Sequence, residues 1–105
     1  MLEISNIFSG LGKLTSGDGE EYVGEWIVGN QEGYGIYKWS DGSKYTGEWH
    51  DGNPHGVGTW ENSELKYVGN WEDGKRHGNG KVIRKKDKKI LYNGLFQNDR
   101  PAEKQ

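Results

Sequence analysis

Residues 22–60 read YVGEWIVGNQEGYGIYKWSDGSKYTGEWHDGNPHGVGTW, and the stretch states one phrase twice. Tyr22-Val23-Gly24-Glu25-Trp26 returns as Tyr45-Thr46-Gly47-Glu48-Trp49. Outward from there, tyrosines stand at Tyr22, Tyr45, Tyr67 and Tyr92, at intervals of 23, 22 and 25 residues. Each is followed two residues on by glycine (Gly24, Gly47, Gly69, Gly94), and two further on by Trp26, Trp49, Trp71 or Phe96. A Gly-x-Gly pair recurs at Gly33/Gly35, Gly56/Gly58 and Gly78/Gly80, with Gly10/Gly12 as a leading half copy. The single domain of 105 residues thus divides into a half repeat (8–21), three repeats (22–44, 45–66, 67–91) and a terminal half repeat (92–101). A period in this range denotes a solenoid, propeller or array.

The spacing inside the repeat is two, the period of a strand. Tyr22, Gly24 and Trp26 share one face, and Val23, Glu25 and Ile27 the other. In the following strand Gly33, Gly35, Tyr37 and Trp39 align against Tyr34, Ile36 and Lys38. Turn chemistry separates the strands in "GNQEG", "SDGS", "DGNPHG" and "DGKRHG". No stretch has a helical period. A glycine inside a strand normally weakens it, but here Gly24, Gly47, Gly69 and Gly94 each have aromatic neighbours two residues away that can lie over the bare backbone. A lone hairpin is marginal, so the hairpins must stack. The expected fold is all-β: an elongated, single-layer antiparallel sheet of stacked β-hairpin repeats.

Composition narrows the function classes. The chain contains five Trp and six Tyr, and its net charge is −2, which argues against disorder. Cysteine is absent, excluding disulfides and thiolate metal sites. No apolar run reaches membrane-span length, and the opening MLEISNIFSG lacks a basic, then apolar, leader pattern. The expected compartment is the cytoplasm. Charge is polarised: residues 1–52 carry three basic and nine acidic side chains, residues 53–105 eleven and seven.

YVGEWIVGNQEGYGIYKWSDG, YTGEWHDGNPHGVGTWENS and YVGNWEDGKRHGNGKVIRK resemble MORN repeats (membrane occupation and recognition nexus), whose pattern is similar to Y-x-G-x-W-x-x-G-x-x-x-G-x-G. The likeness runs from Gly10 to Pro101. The third copy has Asn70 in place of the acid, and the fourth lacks a second Gly-x-Gly strand. The resemblance implies stacked hairpins in an open sheet and a binding or scaffolding role. It also implies a setting at membranes or in cytoskeletal or ciliary assemblies.

Repeat logic disposes of most apparent catalytic signals. Glu25 and Glu48 occupy one repeat position on separate hairpins, whereas an acid–base pair needs two different environments. His55 and His77 also share one position, before Gly56 and Gly78, which reads as turn shaping, and His50 reads as a solvated strand residue. No metal, cofactor or catalytic site is expected. Gly-x-Gly lacks the following helix that a phosphate loop requires. Nucleic acid is not expected as a partner, since the chain is acidic overall.

Two surfaces are left as binding candidates. If no second layer covers the aromatic stripe, Tyr22, Trp26, Tyr45, Trp49, Tyr67 and Trp71 should be partly exposed and receive a protein partner, a peptide or a helix. Self-association into a homodimer or larger assembly is a further expectation, because an open sheet has two unpaired end strands. The alternative site is the basic run: Lys81, Arg84, Lys85, Lys86, Lys88 and Lys89 would attract anionic membrane lipid. Its bland reading is a solvated hairpin tip.

Overall fold

A computed structural model describes residues 9–27 and 30–101. The chain runs up and down through nine strands: β1 (Ser9–Thr15), β2 (Glu21–Ile27), β3 (Asn30–Lys38), β4 (Lys44–His50), β5 (Asn53–Glu61), β6 (Leu65–Glu72), β7 (Lys75–Arg84), β8 (Lys89–Gln97) and β9 (Arg100–Pro101). Each strand pairs antiparallel with the next, giving one open sheet in chain order. The molecule measures 49 × 26 × 18 Å, as elongated as stacked hairpins require. No helix occurs among the described residues. The opening half repeat begins at residue 8, and the "GNQEG" turn at residue 29; both points lie outside the described residues.

The register puts the repeat glycines opposite one another. Gly12 faces Gly24, which faces Gly35, and the row continues through Gly47, Gly58, Gly69, Gly80 and Gly94. Side chains are therefore missing along a line that crosses all eight long strands. The tyrosines fill it. A Cβ on Gly35, Gly58 or Gly80 would overlap the phenol of Tyr22, Tyr45 or Tyr67, respectively. Those three rings are the largest fully buried side chains.

In an extended strand, residues four apart stand about 13 Å from each other. Yet the rings of Tyr22 and Trp26 are 5.0 Å apart, those of Tyr45 and Trp49 5.2 Å, and those of Tyr67 and Trp71 5.2 Å, each pair edge to face. They close over the glycine between them. The same geometry links neighbouring repeats: Tyr22 to Trp49 at 5.1 Å, Tyr45 to Trp71 at 5.1 Å and Tyr67 to Phe96 at 4.9 Å. One unbroken zigzag of T-shaped contacts runs the length of the sheet and forms the core. Such pairs add about 0.5–1.5 kcal/mol each beyond area burial.

Bulges shape the strands. Between Gly47 and Trp49 the ladder shifts, so that Glu48 alone lies against His55, Gly56 and Val57; Glu25 and Asn70 mark the same irregularity in β2 and β6. Gly33, Gly56 and Gly78 sit in these bulges at φ +70°, +82° and +91°, the left-handed region that favours glycine. The two glycines of each Gly-x-Gly pair thus have different tasks, which the sequence pattern does not distinguish. The bulge residue's carbonyl accepts the buried phenol: Tyr22 to Glu25 (3.0 Å), Tyr45 to Glu48 (2.8 Å) and Tyr67 to Asn70 (2.8 Å). Asp51-Gly52 and Asp73-Gly74, both with left-handed φ, make the two-residue hairpin turns that such dipeptides favour.

The terminal half repeat is short. Phe96 takes the tryptophan's place, and β9 contributes only two residues, pairing at Phe96 and Gln97.

Candidate functional site

The six rings expected to be partly exposed are not. Tyr22, Trp26, Tyr45, Trp49, Tyr67 and Trp71 retain between 0 and 8% of their accessible surface. The expectation assumed that a single-layer sheet without a covering element leaves its aromatic face bare. Here the rings cover one another, because the glycine row lets the tyrosines lie down on the backbone and the tryptophans abut them edge-on. These residues form a core and a floor.

Above that floor lies an open groove of about 550 Å³. One wall is aromatic: Tyr37, Trp39 and Trp60 are half-buried and pack against the core cluster. Tyr37 and Trp39 are 4.8 Å apart, and the Tyr37 hydroxyl donates to Glu20 at 2.8 Å. Burial, with the Glu20 hydrogen bond adding to it, pushes the Tyr37 phenol up to about 12. The opposite wall is built from stacked turns, with Gly52, Asn53, Pro54, Gly74, Arg76 and Asp99. Gly52 N–H donates to Gln31 O, Gly74 N–H to Pro54 O and Asp99 N–H to Arg76 O, at 3.1, 2.9 and 3.0 Å. Each hairpin turn is thus hydrogen-bonded to the start of the preceding hairpin.

At one end of the groove, the Arg76 guanidinium lies 5.2 Å from the Phe96 ring centre and 5.6 Å from that of Tyr67, while its Nε donates to Asp99 Oδ1 at 3.2 Å. The groove therefore offers aromatic surface along its length and a charged pair at one end. A shallow apolar trough with a few fixed polar groups suits an extended peptide or an amphipathic helix.

The family model for the MORN repeat matches residues 5–21, 22–44, 45–62 and 67–85, most of the chain. The chain belongs to the MORN-repeat family. No curated protein matches it. MORN repeats are non-catalytic modules that interact with proteins or membranes.

Within the MORN pattern, the acid position is structural. Glu48 Oε2 accepts the Val57 N–H at 3.0 Å, and in the third repeat Asn70 Nδ2 donates to Asn79 O at 3.3 Å. Both span the bulge from the same position, one by accepting and the other by donating. The repeat tolerates acid or amide there for that reason.

The basic run ends as a hairpin tip between β7 and β8, in keeping with the solvated reading. It is not uniformly free. Lys85 Nζ donates to Glu61 Oε1 at 3.0 Å and to Asn62 O at 2.8 Å, and that hydrogen bond holds the Glu61 carboxyl below its ordinary range. Arg84 pairs with Asp87 at 2.8 Å, and Lys81 is half-buried. Lys86, Lys88 and Lys89 are exposed and form no salt bridge among the described residues.

His55 and His77 lie inside strands β5 and β7, as the first residues of the three-residue bulges rather than in turns. His50 is not isolated. Its Nδ1 is 3.3 Å from Glu32 Oε1, its Nε2 is 3.5 Å from Asp51 Oδ2, and its ring lies 5.4 Å from that of His55. Glu32 is eighteen residues away in sequence. The signal available in the sequence was repeat equivalence: Glu32, His55 and His77 all precede a bulge glycine, at the strand start that meets the next repeat's turn.

Proposed function

We propose that the chain is a non-catalytic scaffold or adaptor that binds a protein partner in the groove between Tyr37, Trp39 and Trp60 and the stacked turns. The occupant is a peptide or helix carrying large apolar side chains. The setting is the cytoplasm, within a cytoskeletal or ciliary assembly; the support for the assembly is the family resemblance. The observation that carries the reading is the half-buried aromatic wall. Three rings are held by packing, so they present fixed surface at small ordering cost on binding.

Capture from the native source, followed by cross-linking through a photoreactive side chain at Asn53, exposed on the groove rim, tests the assignment. Cross-links from this position to one partner segment support it. A partner that protects only the exposed outer face, around Tyr34 and Val57, or only the sheet ends, contradicts it.

A second reading, peripheral binding to anionic membrane, is favoured by one observation: Lys86, Lys88 and Lys89 are exposed together on a projecting hairpin tip. Each basic side chain near an anionic surface contributes about 1 kcal/mol. Arg84 and Lys85 contribute less than the sequence implies, because carboxylates already partner them.

A further inference from the structure

Both ring nitrogens of His50 face carboxylates: Nδ1 lies 3.3 Å from Glu32 and Nε2 3.5 Å from Asp51. A neutral imidazole has one N–H, so it can donate to only one of them. Whichever nitrogen lacks the proton is free to bind a cation, and a carboxylate lies beside it in either tautomer. We propose that this cation is a divalent transition-metal ion of the zinc type, bound by Glu32, His50 and Asp51.

The donor set fits. One ligand atom from each of the three residues lies within 4.8 Å of the other two. One imidazole nitrogen and two carboxylate oxygens suit Zn²⁺, which accepts nitrogen and oxygen ligands at about 2.0–2.2 Å. Around a tetrahedral ion such donors lie roughly 3.4 Å apart. His50 and Asp51 are exposed, so small side-chain rotations close the remaining distance.

The backbone already orients two of the ligands. Glu32 Oε2 accepts the Asp51 N–H at 2.7 Å, leaving Oε1 toward His50. Asp51 is held at φ +49° by the Asp51-Gly52 turn. Neighbouring His55 has its Nδ1 engaged elsewhere, accepting the Asp73 N–H at 3.4 Å.

The ion would tie the start of β3 to the turn after β4. That turn supplies Gly52, Asn53 and Pro54 to the groove wall. Metal loading therefore stiffens one side of the groove, and the site itself exists whether or not the groove binds a protein.

Zn²⁺ is titrated by calorimetry into the untagged full chain and into the variants His50→Ala, Glu32→Gln with Asp51→Asn, and His77→Ala. The expected result is saturable binding of one ion per chain, with the His50 imidazole proton resonances shifting on addition. His50→Ala and the double variant should each weaken binding by about tenfold or more, while His77→Ala should leave it unchanged. Glu32→Gln keeps an acceptor for the Asp51 N–H, so circular dichroism should show the double variant folded. Absence of saturable binding would overturn the proposal. Equal binding by His50→Ala, or loss on His77→Ala, would overturn it as well.

Discussion

Trp49 donates its indole N–H to the carbonyl of Gly35, fourteen residues earlier and 3.1 Å away. Trp71 does the same to Gly58 at 3.2 Å. A tryptophan of one repeat thus bonds the glycine row of the repeat before it, and its ring stands against that repeat's buried tyrosine. Stability in this chain passes from neighbour to neighbour through that contact. The first copy differs: Trp26 Nε1 is buried and finds no acceptor among the described residues.

The glycine row should be intolerant even of a methyl group. A Cβ on Gly47 would meet backbone, the Gly58 Cα and the Val57 carbonyl, the latter at 2.7 Å, and backbone cannot swing aside. Gly47→Ala is expected to cost about 2 kcal/mol or more, as overpacking does. Gly17, with nothing within 4 Å of its added Cβ, is the control: Gly17→Ala should stay within about 0.5 kcal/mol of the parent. Urea denaturation of both variants decides it, and equal midpoints would remove this account of the repeat.

The floor and wall of the groove should separate on mutation. Trp49→Ala empties a core site and is expected to cost about 3–5 kcal/mol of stability. Trp39→Ala and Trp60→Ala remove half-buried wall rings, so they should destabilise less while weakening partner binding by tenfold or more, about 1.4 kcal/mol. Thermal melts and binding titrations measured on the same preparations check the split. Trp39 and Trp60 variants that bind normally would exclude the groove.

Alkaline pH should unfold the protein through its tyrosines. Burial raises the phenol pKa of Tyr22, Tyr45 and Tyr67 above their ordinary 10.0. In the unfolded chain these groups ionise near pH 10, while the folded chain keeps the protons. Their contribution is therefore complete below pH 10. As pH rises from there toward the raised folded values, it falls by about 1.4 kcal/mol per pH unit for each ring. Urea midpoints between pH 8 and 11 should drop steeply past 10, and the phenolate absorbance of these three rings should appear together with unfolding. Early phenolate absorbance from all three rings in a still-folded chain would contradict the core assignment.

For the membrane reading, reversing Lys86, Lys88 and Lys89 to Glu should abolish flotation with anionic vesicles and leave the melting temperature nearly unchanged. Lys85→Glu alone should lower stability instead, because it places like charges at Glu61. Binding by the parent should weaken as salt rises. Vesicle binding that the triple variant retains would return the tip to a purely solvated role.

The sequence by itself determined the fold class and the hairpin order. Strand period, turn dipeptides and the tyrosine–glycine–tryptophan spacing are local, and repetition reinforces each of them. It also identified which residues share a face. What it could not decide was how much water that face sees. Accessibility depends on how rings from three consecutive repeats lean across a row of eight glycines, and the lean is a property of the assembled sheet. Tyr45 is covered by its own Trp49 and by Trp71 of the next repeat, so no single repeat contains its environment. The same holds for Glu32 and His50, which meet only because a bulge at the start of β3 faces the turn after β4. Tertiary structure alone turned the aromatic stripe into a core, moved the candidate binding surface to Tyr37, Trp39 and Trp60, and brought a histidine between two carboxylates.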